Sequence, residues 1–150
     1  MNKKIVVLGL GISGLGAAIL AKKKGYDVFV SDKGNISEKN KKILFNYSIN
    51  WEEGKHTVKK ILNAKEVVKS PGISDKIDII KQLNNKNIPI ISEVEFAFRY
   101  TKAKIVAITG SNGKTTTTLL LGDILKNAGY NVLIAGNVGI SFALSIAEKK

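Results

Sequence analysis

The chain has 150 residues, 44% of them hydrophobic, and a mean hydropathy of +0.03, values of a soluble globular protein with one ordinary domain or two small ones. Its longest apolar runs fall far short of the ~20 residues of a membrane span, and without cysteine it forms neither disulfides nor thiolate metal sites. The net charge is +12, but Arg99 is the single arginine among 24 basic residues, and scattered lysines such as Lys22-Lys23-Lys24 mark a solvated surface rather than a nucleic-acid interface.

In chain order, strands and helices alternate, the pattern of a parallel sheet with crossover helices. Residues 5–8, Ile-Val-Val-Leu, read as a buried strand that runs on from Lys3-Lys4 with no small-residue cleavage pattern, so a cytoplasmic location is expected. A helix over 14–24 ends at Gly25. A strand over 28–31, a lysine-rich helix over 35–47 and a short strand over 49–51 follow. Residues 58–62 read as helix, 66–69 as strand, 77–85 as helix and 88–91 as a short strand. Ser92 and Glu95 then form a capping box for a helix carrying Phe96, Phe98 and Tyr100, expected to bridge two domains.

Near residue 101 the cycle restarts. It runs through a strand over 105–108, a helix over 114–127 stopped by Gly129, a strand over 132–135, a tight loop at 136–139 and a helix over 141–149. The expected division is 1–92 as a Rossmann-like domain and 93–150 as the start of a second α/β domain. The second part brings only two strands and buries too little surface to stand alone. It therefore reads as the opening of a larger domain continuing past Lys150.

Two glycine-rich loops carry the chemistry, each directly after a predicted strand. In Gly9-Leu10-Gly11-Ile12-Ser13-Gly14, Gly9 permits the turn, Gly11 admits a diphosphate and Gly14 lets helix pack on strand. The helix start presents free N–H groups to phosphate oxygens. Asp32, at the end of the second strand roughly 20 residues on, is placed to accept from ribose hydroxyls or a base N–H.

The second loop is Thr109-Gly110-Ser111-Asn112-Gly113-Lys114-Thr115-Thr116. An ordinary P-loop has four residues between its first glycine and the Gly-Lys pair; here only Ser111 and Asn112 intervene. Its amides can still wrap a β-phosphate, Lys114 can neutralise β- and γ-oxygens, and Thr115 can offer a hydroxyl to Mg²⁺. Ser70-Pro71-Gly72-Ile73 falls where the C-terminal end of a parallel strand should lie, the ligand-binding edge of open α/β sheets. Asn137, in the loop after the last strand, offers both donor and acceptor. His56, the single histidine, reads as a surface residue.

In this order the motifs resemble the Mur ligases of peptidoglycan synthesis, and among them the branch that adds D-glutamate. The set is Gly-Leu-Gly-Ile-Ser-Gly, Asp32, Ser-Pro-Gly-Ile, Ser-Glu-Val-Glu-Phe, the shortened P-loop and Gly-Asn-Val-Gly. Folylpolyglutamate synthases share the shortened loop but lack the dinucleotide-like first domain. The alanine-adding relatives typically carry histidine where Asn112 stands.

The resemblance implies an ATP- and Mg²⁺-dependent amide ligase that joins D-glutamate to UDP-N-acetylmuramoyl-L-alanine through an acyl phosphate; a monomer is the simplest expectation. Carried over, Gly11, Ile12 and Ser13 hold the UDP diphosphate and Asp32 the uridine. Pro71 and Gly72 line the UDP-sugar site, and Asn137 meets the muramoyl-alanine part. Gly110, Ser111, Asn112, Gly113, Lys114, Thr115 and Thr116 hold ATP, with Lys114 stabilising the transferring phosphoryl group and Thr115 on magnesium. The family's remaining metal ligands, its carbamylated lysine and its D-glutamate domain are expected beyond Lys150, so residues 1–150 alone are expected to be inactive. Two rival readings are an NAD-binding oxidoreductase or regulator with an added nucleotide loop, and a ParA-like NTPase module.

Overall fold

The computed structural model describes residues 3–136 and 140–148. Five parallel strands form one sheet: β1 (Lys4–Leu8), β2 (Asp27–Ser31), β3 (Asn50–Glu52), β4 (Glu66–Lys69) and β5 (Ile90–Ile91), in the order β3-β2-β1-β4-β5. The expected parallel α/β architecture is therefore present.

Strand side chains alternate between two cores. Ile5, Val7, Val28, Val30 and Val68 enter one, while Val6, Leu8, Phe29 and Val67 enter the other. Burial on both faces is why the centres of β1 and β2 read as unbroken apolar runs rather than alternating ones. The first core is closed by α1 (Ile12–Lys23), by Leu44 of α2 (Glu38–Asn46), by α5 (Glu93–Phe98) and by α7 (Phe142–Glu148). The second is closed by Ile61 of α3 (Val58–Ile61) and by Ile79, Ile80 and Leu83 of α4 (Asp78–Asn85).

Helix α1 is small-residue rich because it is sandwiched. A Cβ on Gly16 would fall 1.9 Å from Ser141 Oγ and 2.9 Å from Leu144 N, so α1 and α7 approach nearly backbone to backbone. Lys23 Nζ adds a bond to Ala147 O at 2.8 Å. Helix α5 starts as its sequence implies, with Ser92 Oγ accepting from Glu95 N at 3.1 Å. Only that half of the capping box forms, since Glu95 pairs with Arg99 at 3.6 Å. Phe96 is buried edge-on between Tyr26 and Tyr100, whose hydroxyls meet at 3.0 Å. The aromatic helix thus packs into the first core.

The expected strands over 105–108 and 132–135 are corrected: among the described residues neither forms a strand, and Ala135 makes only an isolated bridge to Ile140. A strand requires a ladder partner, and Ile105 and Val106 instead stand 44% and 64% exposed. Helix α6 (Lys114–Asn127) does form; its contact with the 132–135 segment is tight at Gly122, where a Cβ would meet Ile134 Cδ1 at 2.6 Å. Its Leu119, Leu120 and Ile124 remain exposed. No helix among the described residues is long and apolar enough to cross a membrane.

Candidate functional site

The strand order reverses direction at β1: the chain builds outward through β2 and β3, then crosses to β4 and β5 on the other side. Open α/β sheets bind ligands beyond the carboxyl ends of the strands at such a switch point. Both Gly9-Leu10-Gly11, after β1, and Ser70-Pro71-Gly72, after β4, lie there.

The first loop is built around two required glycines. Gly9 has φ +81°, a conformation that L side chains rarely adopt. A Cβ on Gly14 would sit 1.9 Å from Gly9 O, so the helix can pack on the turn only without a side chain. Gly11 differs, with extended backbone at the N-cap of α1 and nothing within 4 Å of where a Cβ would lie. No side chain caps α1, so the amides at its exposed start point outward, the arrangement that receives an anion. Ser70 Oγ donates to Gly9 O at 3.0 Å and fastens the two strand ends together.

Asp32 is brought to this loop. Its Oδ2 accepts from Leu10 N at 2.5 Å and its Oδ1 from Gly34 N at 2.8 Å. Each oxygen keeps a lone pair for a ligand hydroxyl. Two clefts flank the loop. The smaller, about 310 Å³, is lined by Gly9, Gly11, Asp32, Lys33, His56 and Gly72, among others. The larger, about 440 Å³, has Ser13, Lys69, Pro71, Glu93, Gly136 and Ser141 in its wall. Lys69 Nζ stiffens the turn between them, donating to Ile73 O at 2.7 Å and pairing with Asp75 at 3.1 Å. Gly72 has open space around its Cβ position, so its value lies in clearance rather than in an unusual φ.

His56 is corrected from a surface residue to a half-buried one in the smaller cleft. It belongs to a network that sequence reasoning missed. Ser31 Oγ donates to Glu52 Oε1 at 2.8 Å and lies 2.7 Å from His56 Nδ1, while Glu52 Oε1 also accepts from Thr57 N at 2.7 Å. Burial pushes the Glu52 carboxyl up, but the Thr57 and Ser31 bonds and the Lys60 charge at 3.7 Å outweigh it and hold it below the ordinary range. The available signal was positional: both Glu52 and His56 follow or end a strand at the ligand edge of the sheet.

In the second loop Gly113 has φ +74° and caps α6, again with no side-chain cap. Lys114 Nζ folds over the loop, donating to Gly110 O at 2.5 Å and Ser111 O at 3.1 Å. Thr115 and Thr116 are exposed on the first turn, so the hydroxyl of Thr115 is open as an oxygen donor. Mg²⁺ commonly takes one or two protein ligands and completes its shell with phosphates and water, which suits a single hydroxyl beside a phosphate cradle. Asn137 lies outside the described residues; its neighbour Gly136 and Ser141 both line the larger cleft.

A switch-point site with a glycine loop, a strand-end carboxylate and open amides has the architecture of a Rossmann-like unit. The sequence model of the MurD N-terminal domain matches residues 4–79, and the chain belongs to that family. A UDP-N-acetylmuramoylalanine–D-glutamate ligase of Bacteroides fragilis is 59% identical over 148 residues, covering 99% of this chain and 33% of the relative. The corresponding ligase of Thermoanaerobacter pseudethanolicus is 40% identical, covering 98% of this chain and 33% of its own. The chain thus spans about a third of the length of the curated relatives it matches.

Among solved structures, the murein peptide ligase Mpl of Psychrobacter arcticus superposes with a TM-score of 0.63 at 27% identity, over 85% of this chain and 27% of that one. The UDP-N-acetylmuramate–alanine ligase MurC of Thermotoga maritima gives 0.56 at 27% identity, over 84% of this chain and 30% of that one.

Proposed function

We propose that the chain is the substrate-holding front of an ATP-dependent ligase that adds D-glutamate to UDP-N-acetylmuramoyl-L-alanine in peptidoglycan synthesis. The observation that carries the reading is the convergence at the β1/β4 switch point of the open α1 amides, Asp32 and the Ser70-Pro71-Gly72 turn. The names of the relatives point the same way. On this reading residues 1–92 hold the UDP substrate and residues 93–150 open the ATP-binding unit of a cytoplasmic, monomeric enzyme.

The amides of Gly11, Ile12 and Ser13 take the diphosphate, where the helix dipole favours negative charge. Asp32 takes the uridine ribose through its remaining lone pairs. Pro71 and Gly72 wall the sugar path, and Asn137 meets the alanyl end. In the second loop, the residues from Gly110 to Thr116 cradle ATP. Lys114 exchanges its two loop carbonyls for phosphate oxygens, and Thr115 contributes a hydroxyl to Mg²⁺, which neutralises developing charge on the phosphates when bound.

The chemistry requires a carboxylate oxygen of the alanyl end to attack the γ-phosphorus in line, releasing ADP and leaving an acyl phosphate. The D-glutamate amine then adds to the acyl carbon, and the tetrahedral intermediate collapses to an amide and phosphate. Little covalent work falls to the protein; positioning and charge stabilisation dominate.

Calorimetric titration of this chain with UDP-N-acetylmuramoyl-L-alanine, against NADH in a parallel cell, tests the proposal. Saturable binding of the UDP compound, weakened in Asp32→Ala, is expected. Binding of NADH alone would overturn it.

A further inference from the structure

Helices α5 and α7 both bury residues in the first core, Phe96 and Ala97 from one and Ala143 and Ala147 from the other. The chain therefore leaves the sheet unit after α5 and returns to it at α7, and the second loop and α6 lie on the excursion between. Each crossing is fastened by a charged residue of α5 or its C-cap. At the exit, Arg99 Nη1 donates to both carboxylate oxygens of Glu66, the first residue of β4, at 3.1 and 2.8 Å. At the return, Glu93 Oε1 accepts from Ala143 N at 2.5 Å. The two fasteners differ in kind. Arg99 is exposed, and water can replace what it supplies. Glu93 and Ala143 are both buried, so the Ala143 amide has no solvent to turn to if the carboxyl is lost.

The return crossing is the one that links the two glycine loops. Ala135 bridges to Ile140, and Gly136 N donates to Ile140 O at 3.0 Å, which joins the chain on either side. Upstream, Ile134 packs against Gly122 of α6, the helix that begins at Lys114. Downstream, Ser141 and Leu144 pack against Gly16 of α1, the helix whose N-cap is Gly11. Close-packed contacts of this sort transmit a displacement rather than absorb it. The first N–H groups of a helix have no partner within it. In α7, Ser141 Oγ serves Leu144 N at 3.1 Å, and Glu93 reaches across from α5 to serve Ala143 N. We infer that Glu93 is a positioning residue for phosphoryl transfer: by seating the first turn of α7 it sets the distance between the second loop and the β1/β4 switch point. The inference rests on the proposed ligase reading and extends it to a residue outside both loops. Among the described residues Glu93 hydrogen-bonds to neither loop, so its loss leaves the contacts of each ligand in place and spoils only their meeting.

The test is steady-state kinetics of the complete ligase, unaltered and as Glu93→Ala and Glu93→Gln. Calorimetry with UDP-N-acetylmuramoyl-L-alanine and with a non-hydrolysable ATP analogue gives the two affinities separately. In Glu93→Ala, kcat is expected to fall about 10- to 100-fold, the scale of a displacement of about 1 Å between reacting groups. Both Kd values are expected to stay within about twofold. Glu93→Gln, whose amide oxygen accepts from Ala143 N as the carboxyl does, is expected to keep kcat within about threefold. A merely structural role would lower the thermal midpoint of Glu93→Ala without separating kcat from the affinities. If that variant does not fold, Glu93→Leu, which fills the site without an acceptor, replaces it with the same expected split. An unchanged kcat in the folded variant, a parallel loss of affinity for either ligand, or equal damage from Gln and Ala would overturn the role of Glu93 while leaving the ligase reading intact. An unaltered enzyme that fails to join D-glutamate to the UDP compound would overturn that reading, and this inference with it.

Discussion

Glu93 Oε1 accepts from Ala143 N at 2.5 Å, a bond that spans 50 residues and ties the start of α5 to the first turn of α7. Glu93 is buried, and burial pushes its carboxyl above the ordinary range against the opposing pull of the Ala143 amide and the Ser141 hydroxyl. A folded-state pKa raised above the unfolded value means that the folded state holds the proton longer. Its stabilising contribution is therefore full below the ordinary value of about 4.3 and is lost as pH rises through the raised one. Urea unfolding of Glu93→Gln should show a shallower loss across that window than the unaltered chain. Glu93→Ala, which leaves the Ala143 amide buried without its partner, should cost about 1–3 kcal/mol. Identical pH profiles for Gln and Glu would contradict the argument.

Gly14 and Gly11 should fail in opposite ways. The 1.9 Å approach to Gly9 O leaves Gly14→Ala no room except by moving backbone, so a loss of about 3 kcal/mol, the upper end of what overpacking typically costs, is expected in denaturant titration. Gly11→Ala has free space and an unstrained φ of −72°, so it should fold with a cost under about 1 kcal/mol. Its methyl would nevertheless intrude on the space that the proposed function assigns to the diphosphate, and UDP affinity should fall about tenfold or more. A Gly11→Ala chain that binds UDP normally would remove the diphosphate from this loop.

What the sequence disclosed follows the physics of each element. Residues 5–8 and the Val28-Phe29-Val30 stretch were legible because burial on both faces makes them continuous apolar runs, 66–69 carries the same signal only at Val67 and Val68, and Gly25 marked the end of α1 through its φ of +79°. The same apolar signal at 105–108 and 132–135 says nothing about a ladder partner, and none is found among the described residues. Asp32 was legible as a strand-end carboxylate, but its grip on Leu10 N was not, since the pair lies 22 positions apart in sequence. The Ser31–Glu52–His56 network depends on β2 lying beside β3, and only the strand order brings those residues together.

The acid limb of the stability profile should carry the signature of Glu52. Its folded-state pKa is depressed, so its contribution is present above the ordinary carboxylate value and is lost as pH falls through the lower folded value. Glu53, held down by Lys41 at 2.8 Å and by Ile36 N, adds a smaller, solvent-screened effect of the same sign. Glu52→Gln should therefore unfold less steeply on acidification below about pH 4 than the unaltered chain. At neutral pH the same variant should be less stable, because the hydrogen bonds from Thr57 N and Ser31 Oγ lose their ionic acceptor. Followed by circular dichroism at stepped pH, an unchanged acid midpoint would mean that other carboxylates govern the transition.

Substituting Lys114 tests the proposed division of duties between the two loops. Its ammonium sits exposed over the second loop, held among the described residues only by the carbonyls of Gly110 and Ser111, so removing it deletes no described core contact. Lys114→Ala should leave the thermal midpoint of the chain unchanged, and UDP-substrate binding at the β1/β4 switch point should survive. On the proposed reading, the same substitution in the complete ligase removes a positive charge from the transferring phosphoryl group, where a charged donor lowers the barrier and has no solvent substitute. Turnover should fall about 10²–10³-fold or more while the affinity for UDP-N-acetylmuramoyl-L-alanine changes little. Steady-state kinetics paired with calorimetry decides between this and the alternative. Equal loss of turnover and of UDP-substrate affinity would mean that the two loops do not divide the substrates between them.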